Sequence, residues 1–183
     1  MATGVKSVVK IESVSQDRFA DQIEAKKIDQ KAEILSAYLA KHNSPLQYHA
    51  QDFIDAANEF GLDWRLVASI AGVESTFGKF IPGGYNGWGW GVYGKNAIYF
   101  KSWKDGIFTV SRGLKENYID KGLTEPYEMN RVYAASPVWG RKVSFFMTDL
   151  EKFANDYEAL EQDKLTVYSP DKTAVSSALL AFK

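Results

Sequence analysis

Between Leu66 and Gly78 the chain reads Leu-Val-Ala-Ser-Ile-Ala-Gly-Val-Glu-Ser-Thr-Phe-Gly, and this run constrains the fold more than any other. Leu66, Val67, Ile70 and Phe77 recur at helical spacing, so an amphipathic helix ending at Gly78 is expected. The next position on that face after Ile70 is Glu74. An unpartnered buried charge is costly, and a carboxyl so placed raises its pKa and keeps its proton. A protonated carboxyl at a helix end is equipped to act as a general acid. The competing reading is a surface glutamate, exposed or paired with a Lys or Arg, which is the rule for glutamates at large.

The next segment is not a helix. Ile81 to Gly94 holds six glycines interleaved with Tyr85, Asn86, Trp88, Trp90 and Tyr93. That composition suits tight turns, either a short β-hairpin or an irregular loop. Beside the end of the Glu74 helix it makes one wall of a cleft. Tyr85, Trp88, Trp90 and Tyr93 are candidates to stack on sugar rings, with Asn86 as a hydrogen-bonding partner and Ser75 next to the acid. The alternative is that the tryptophans fill the core. One is expected to pack and the other to face the cleft.

The rest is helical in pattern. From Val14 to Lys41, Phe19, Ile23, Ile28, Ala32, Leu35 and Leu39 form a near-heptad stripe on a long helix. It is expected to pack on the main domain, with a stalk or oligomerisation helix as the alternative. His42-Asn43-Ser44-Pro45 breaks it and marks a domain boundary. Ser44, Pro45 and Gln47 cap a helix that buries Ala50, Phe53, Ile54, Ala57 and Phe60 and ends at Gly61. Asp63 caps the Glu74 helix. Ser102 and Asp105 start a helix carrying Ile107, Phe108, Val110, Leu114 and Tyr118, closed by Gly122. A short helix spans about Tyr127 to Ala134. Ser136-Pro137 opens a last helix burying Trp139, Val143, Phe146, Met147, Leu150, Phe153 and Tyr157. Beyond it, Leu165 to Tyr168 suggests a strand and Val175 to Phe182 a short helix. The expected division is an N-terminal segment with its long helix (1–43), a main α-domain (44–160) and a tail (161–183).

Composition removes several functions. The 183 residues carry a formal charge of -1, which argues against nucleic acid or an anionic membrane as partner. With no cysteine, thiol chemistry, disulfides and cysteine-bound zinc are out. His42 and His49 form no ligand-type pair and read as surface residues, so neither a metal nor another cofactor is expected. No G-x-S-x-G elbow supports a serine hydrolase. No apolar run is long enough to span a membrane. The N-terminus lacks the regions of a signal peptide, so an exported protein is expected to be represented here in trimmed form.

Four segments together resemble a known group. Ala68 to Gly78 is similar to the A-x-I-x-x-x-E-S-x-F/W-G signature of the lysozyme-like superfamily. Tyr85 to Gly91 stands where one branch carries a glycine-aromatic motif. Phe100-Lys101-Ser102-Trp103-Lys104-Asp105-Gly106-Ile107 and Tyr133-Ala134-Ala135-Ser136-Pro137-Val138-Trp139-Gly140-Arg141-Lys142-Val143 resemble two further stretches of that branch, the endo-β-N-acetylglucosaminidases of glycoside hydrolase family 73. Soluble lytic transglycosylases share the first signature. The resemblance covers about Ser44 to Phe153. It implies a mainly α, lysozyme-like domain with a small glycine- and aromatic-rich lobe. It further implies Glu74 as catalytic acid and Tyr133 as an assisting cleft tyrosine.

There are departures. The transglycosylase G-L-M-Q segment is absent, Ser136 replaces the aspartate of the glucosaminidase motif, and no carboxylate lies between Glu74 and Asp105. Asp105 itself reads as a helix cap. The expected function is cleavage of the β-1,4-linked GlcNAc/MurNAc backbone of peptidoglycan with a single catalytic glutamate, by hydrolysis or transglycosylation, outside the cell or at the wall. The alternative is a non-catalytic wall-glycan-binding or scaffold module. The partner in either case is the glycan strand, and self-association through the N-terminal helix stays open.

Overall fold

The structure, a computed structural model, describes residues 30–81, 83–92 and 98–167. Tyr93, the stripe positions Phe19, Ile23 and Ile28, and the expected helix from Val175 to Phe182 lie outside the described residues. Among the described residues the architecture is mainly helical, with no strand. Helix α1 covers residues 30–41. A 3-10 turn, Pro45–His49, leads into α2 (Ala50–Phe60) and then α3 (Leu66–Ser75). After the glycine-rich segment come α4 (Trp103–Asn117), a 3-10 turn (Ile119–Lys121), α5 (Pro126–Tyr133) and α6 (Trp139–Val167).

Helix α3 is the centre. Leu66, Val67, Ala68, Ser69, Ile70, Ala71, Gly72 and Ser75 are all buried, because α4 and α6 both pack on it. The expected amphipathic helix is therefore enclosed on nearly every side, and its small residues let its neighbours approach closely. It opens to solvent only in its last turn, where Glu74 is exposed. The expectation of a glutamate in a core position is corrected accordingly: Glu74 stands at the rim where the core ends. The helix also stops at Ser75 rather than Gly78, with Thr76, Phe77 and Gly78 all at positive φ.

The remaining elements pack around this axis. Trp88, Trp139, Tyr38 and Phe53 are among the largest fully buried side chains. From α1, Ile34, Leu35, Tyr38 and Leu39 enter the same core as α2, α3 and α4. The break at residues 42–45 is thus a corner within one core. The Tyr38 hydroxyl donates to Asp149 Oδ2 of α6 at 2.8 Å, fastening this corner to the far helix.

Cap chemistry accounts for most element ends. Ser44 Oγ accepts the Leu46 N–H at 3.0 Å, but Gln47 Nε2 donates to the Ser44 carbonyl, so the expected reciprocal box does not close. The element that follows Pro45 is a 3-10 turn, and α2 begins at Ala50. Gly61 closes α2 in the left-handed region as expected, whereas α4 ends at Asn117 and Gly122, expected to close it, caps the following 3-10 turn. Ser102 Oγ accepts the Asp105 N–H at the start of α4, while Asp105 Oδ2 accepts the N–H of Lys101, one residue before the cap; Glu125 and Glu128 close a reciprocal box at the start of α5. The last helix continues to Val167, where a strand from Leu165 is expected from the sequence. The helical spacing of Phe153, Tyr157 and Leu160 carries the helix into the strand-like segment as far as Val167.

Candidate active site

Glu74 is presented by a turn that two serines hold. Ser75 Oγ lies 2.7 Å from the Gly87 carbonyl and 3.0 Å from the Ala71 carbonyl, and it accepts the Gly78 N–H at 2.8 Å. Ser44 Oγ donates to the Phe77 carbonyl at 2.7 Å. The end of α3 is thereby locked both to the glycine-rich segment and to the corner after α1. Ser75, expected to meet substrate, is instead 4% exposed with its hydroxyl fully engaged, so its role is to fix the acid's turn.

The glycine-rich segment is an irregular loop of consecutive turns in its described parts. Asn86 organises it. Its Nδ2 donates to the carbonyls of Trp90 and Ile98, both at 2.9 Å, and its Oδ1 accepts from the N–H groups of Trp88 and Trp90. Every polar site of this 2% exposed side chain serves the loop backbone, so the expectation of a substrate contact is corrected. A buried, fully bonded amide replaces the cross-strand ladder that a hairpin would use.

The two tryptophans divide as the sequence suggests. Trp88 is fully buried among Phe53, Phe100 and Trp103, and its indole N–H donates to the Val67 carbonyl at 3.0 Å. It anchors the loop to α3 and presents no ring to a ligand, contrary to its expected stacking role. Trp90 is half-buried and lines an open cleft of about 490 Å³ with Gly89, Gly91, Val92, Ile98, Asn117, Tyr118, Lys121, Val132 and Tyr133. Its ring lies across Gly113 of α4, where a Cβ would come within 2.2 Å of the indole. Gly113 escaped sequence reasoning because a glycine inside a helix pattern gives no sign of what it makes room for. Tyr85 is exposed and meets Trp103 edge-on. It does not line the cleft.

Glu74 meets this cleft at Gly89. That glycine has φ +60°, and a Cβ there would sit 3.2 Å from Glu74 Oε2. The other carboxylate oxygen, Oε1, accepts the indole N–H of Trp139 at 2.7 Å. Trp139 stacks on Tyr133 with centroids 4.4 Å apart and an interplanar angle of 19°. Sequence reasoning marked Trp139 only as a core residue. The available signal was its indole N–H, since a buried tryptophan seeks an acceptor for it.

The electrostatics follow from this enclosure. Burial among Trp139 and its neighbours raises the Glu74 pKa above the ordinary carboxylate range, although one side of the residue is open to water. The Trp139 hydrogen bond and the positive charge of Lys142 pull it partly back. Tyr133 is pushed well above the usual tyrosine range by burial, then by the charges of Glu74 and Tyr118. Its neutral hydroxyl donates to the Trp88 carbonyl at 2.8 Å. Tyr133 therefore holds the loop against α5 as a positioning residue. Trp90 and Tyr133 line one cleft, Glu74 stands beside it at Gly89, and Ser75, Asn86 and Trp88 lie behind as support.

The chain is 27% identical over 121 residues to a Streptococcus pneumoniae TIGR4 protein named "Putative endo-beta-N-acetylglucosaminidase", and equally to its counterpart in strain R6. The likeness is to a glycosidase. It covers 61% of this chain but only 18% and 17% of the two relatives, so the chain spans less than a fifth of their length. No family model matches the sequence. The relationship is a glycosidase-like one.

Proposed function

We propose that this chain cleaves the β-1,4-linked backbone of peptidoglycan, with Glu74 as its acid and base. The observation that carries the reading is the setting of that carboxyl. It is the residue of the central helix that reaches the rim of the core, its pKa is raised by burial, and it stands beside an aromatic-walled cleft. A cleft of a few hundred cubic ångströms with polar backbone groups and aromatic walls is of ligand-binding size. The likeness to the pneumococcal glucosaminidases supports the same chemistry.

Among the described residues no other carboxylate lines this cleft, so the mechanism works with one. Two-acid glycosidases place their carboxyls ~5 Å or ~6.5–9.5 Å apart. Here Asp105 is committed to the α4 cap, accepting the Lys101 N–H at 3.0 Å. The substrate's own acetamido group then serves as nucleophile. Protonated Glu74 gives its proton to the glycosidic oxygen as the C1–O bond breaks, and the acetamido oxygen bonds to C1. The glutamate, now ionised, removes a proton from an incoming hydroxyl that reopens the ring intermediate at C1. Water in that step gives a reducing end, which is the hydrolase outcome the relatives' name favours. The substrate's 6-hydroxyl gives a 1,6-anhydro end and makes the enzyme a lytic transglycosylase.

The test is mass spectrometry of digested peptidoglycan. Wild-type protein is expected to release new sugar ends, and the 18 Da between hydrated and anhydro ends distinguishes the two routes. Glu74→Gln should reduce release by at least ~100-fold while leaving the helical circular dichroism unchanged. Unimpaired release by Glu74→Gln would refute the assignment. Binding to wall polymer with no release by the wild type would support the scaffold reading instead.

A further inference from the structure

His42 reads as a surface residue in the sequence, but in the fold it is half-buried behind the turn that presents Glu74. Its ring stacks on Phe77 with centroids 4.6 Å apart and an interplanar angle of 30°. Tyr38 and Phe146 meet it edge-on at 4.7 and 6.5 Å. Its Nε2 is buried there and has no hydrogen-bond partner among the described residues. Two polar straps flank the stack: Ser44 Oγ donates to the Phe77 carbonyl at 2.7 Å, and Lys79 Nζ donates to the His42 carbonyl at 2.9 Å. Phe77 needs such holding. It and Thr76 are consecutive non-glycine residues in the left-handed region, at φ 58° and 53°. That backbone persists only where its surroundings over-determine it. The Phe77 ring also bears on α3, since a Cβ at Gly72 would come within 2.7 Å of its Cζ. Through this one ring, His42 backs the last turn of the helix that carries the acid.

We propose that His42 is a positioning residue for Glu74: its neutral ring clamps Phe77 and fixes the acid's turn, and its protonation releases the clamp and sets an acid-side limit to activity. The proposal rests on the glycosidase reading and adds a control on that same site. In kcat/KM, a single carboxyl that starts the reaction as an acid loses activity only on the alkaline side, because low pH fills its reactive form. A fall on the acid side therefore needs a second titrating group. The surroundings of His42 favour its neutral form. Burial is the largest influence and lowers its pKa, and the positive charges of Lys41 on α1 and Lys79 on the turn add to that. Asp149 of α6 opposes them, but its Oδ2 already accepts the Tyr38 hydroxyl at 2.8 Å. A charged imidazole donates from both nitrogens, and the aromatic enclosure gives Nε2 no acceptor. The protonated ring turns away, toward water or Asp149, and leaves Phe77.

The experiment follows the full chain from acid to alkaline pH, with kcat/KM measured on soluble peptidoglycan strands and the His42 ring and Phe77 amide signals read by NMR. Wild type should lose about tenfold in kcat/KM per pH unit below the His42 midpoint, and the Phe77 amide should shift with that same midpoint. His42→Phe keeps an aromatic ring against Phe77 but cannot titrate. Normalised to its own maximum, its profile should lack the acid limb, and its Phe77 amide should no longer shift in that range. His42→Ala removes the ring and should lower kcat about tenfold with KM within about twofold, because the acid is displaced and the sugar is not. An active wild type without an acid limb, an acid limb that persists in His42→Phe, or a Phe77 amide that ignores the His42 midpoint would overturn the proposal. So would His42→Ala melting lower while keeping its acid limb, which is the mark of a purely structural role. Failure of the glycosidase reading shows separately, as no cleavage by the wild type at any pH, and the Phe77 amide then decides the clamp by itself.

Discussion

Because burial raises the Glu74 pKa, the folded chain binds that proton more tightly than the unfolded chain does. A raised carboxyl contributes stability in full below the ordinary carboxylate pKa and loses it as pH rises through the folded value. At neutral pH the carboxylate is therefore a burden on the fold. Glu74→Gln should melt ~1–2 °C higher than wild type at pH 7, and the gap should close toward pH 4, as followed by calorimetric melts. Trp139→Phe keeps the stacking on Tyr133 but removes the indole donor, one of the two influences that hold the Glu74 pKa down. The alkaline limb of its pH–activity profile should move upward. Its kcat should fall about tenfold, because the acid loses a charged hydrogen bond that orients it. Glu74 itself is legible in the sequence, but for a partly mistaken reason: helical periodicity put it in the core, and the structure puts it where the core runs out. Trp139 was legible as an aromatic on a helix. That its N–H meets a carboxylate on another helix depends on packing, which periodicity along one helix does not encode.

At the level of elements, helices and caps are the parts that local sequence dictates. The Ser102 cap and the left-handed glycines at 61 and 122 are satisfied within a few residues of chain and so are legible in it, whereas the Glu125–Glu128 box is equally local and went unread. The glycine-rich loop is different. Its composition announces turns, yet its shape is set by one buried amide and by Trp88, which reaches to Val67. Two of the side chains that look made for sugar, Asn86 and Trp88, are the loop's own skeleton. Asn86→Ala leaves four backbone groups without their partner, and at roughly 1 kcal/mol or somewhat less for each it should cost about 2–4 kcal/mol in a denaturant titration. Ligand affinity should drop with it, since Gly89 and Trp90 lose the position that the amide gives them. Trp90→Ala, by comparison, should change stability little and ligand affinity more.

For the molecule as a whole, α1 is part of the core rather than an attachment to it. Ile34, Leu35, Tyr38 and Leu39 are each at most 1% exposed, and Tyr38 reaches α6. Burial of side chains of this size contributes ~1.5–3 kcal/mol each, comparable in sum to the net stability of a small domain. A chain starting at Ser44, the domain edge expected from sequence, should lose its cooperative melt and its dispersed methyl NMR signals. The near-heptad stripe foretold the helix but could not say what it packs on, because a stripe fits a partner chain as well as it fits a core. Assembly has an order in time as well. Trp139 lies 65 residues after the glutamate it steadies, and Tyr133 lies 45 after the loop carbonyl it holds. A growing chain therefore carries Glu74 for many residues before the groups that tune and frame it have emerged. The setting that raises the Glu74 pKa therefore exists only in the folded chain, once α6 is packed on α3.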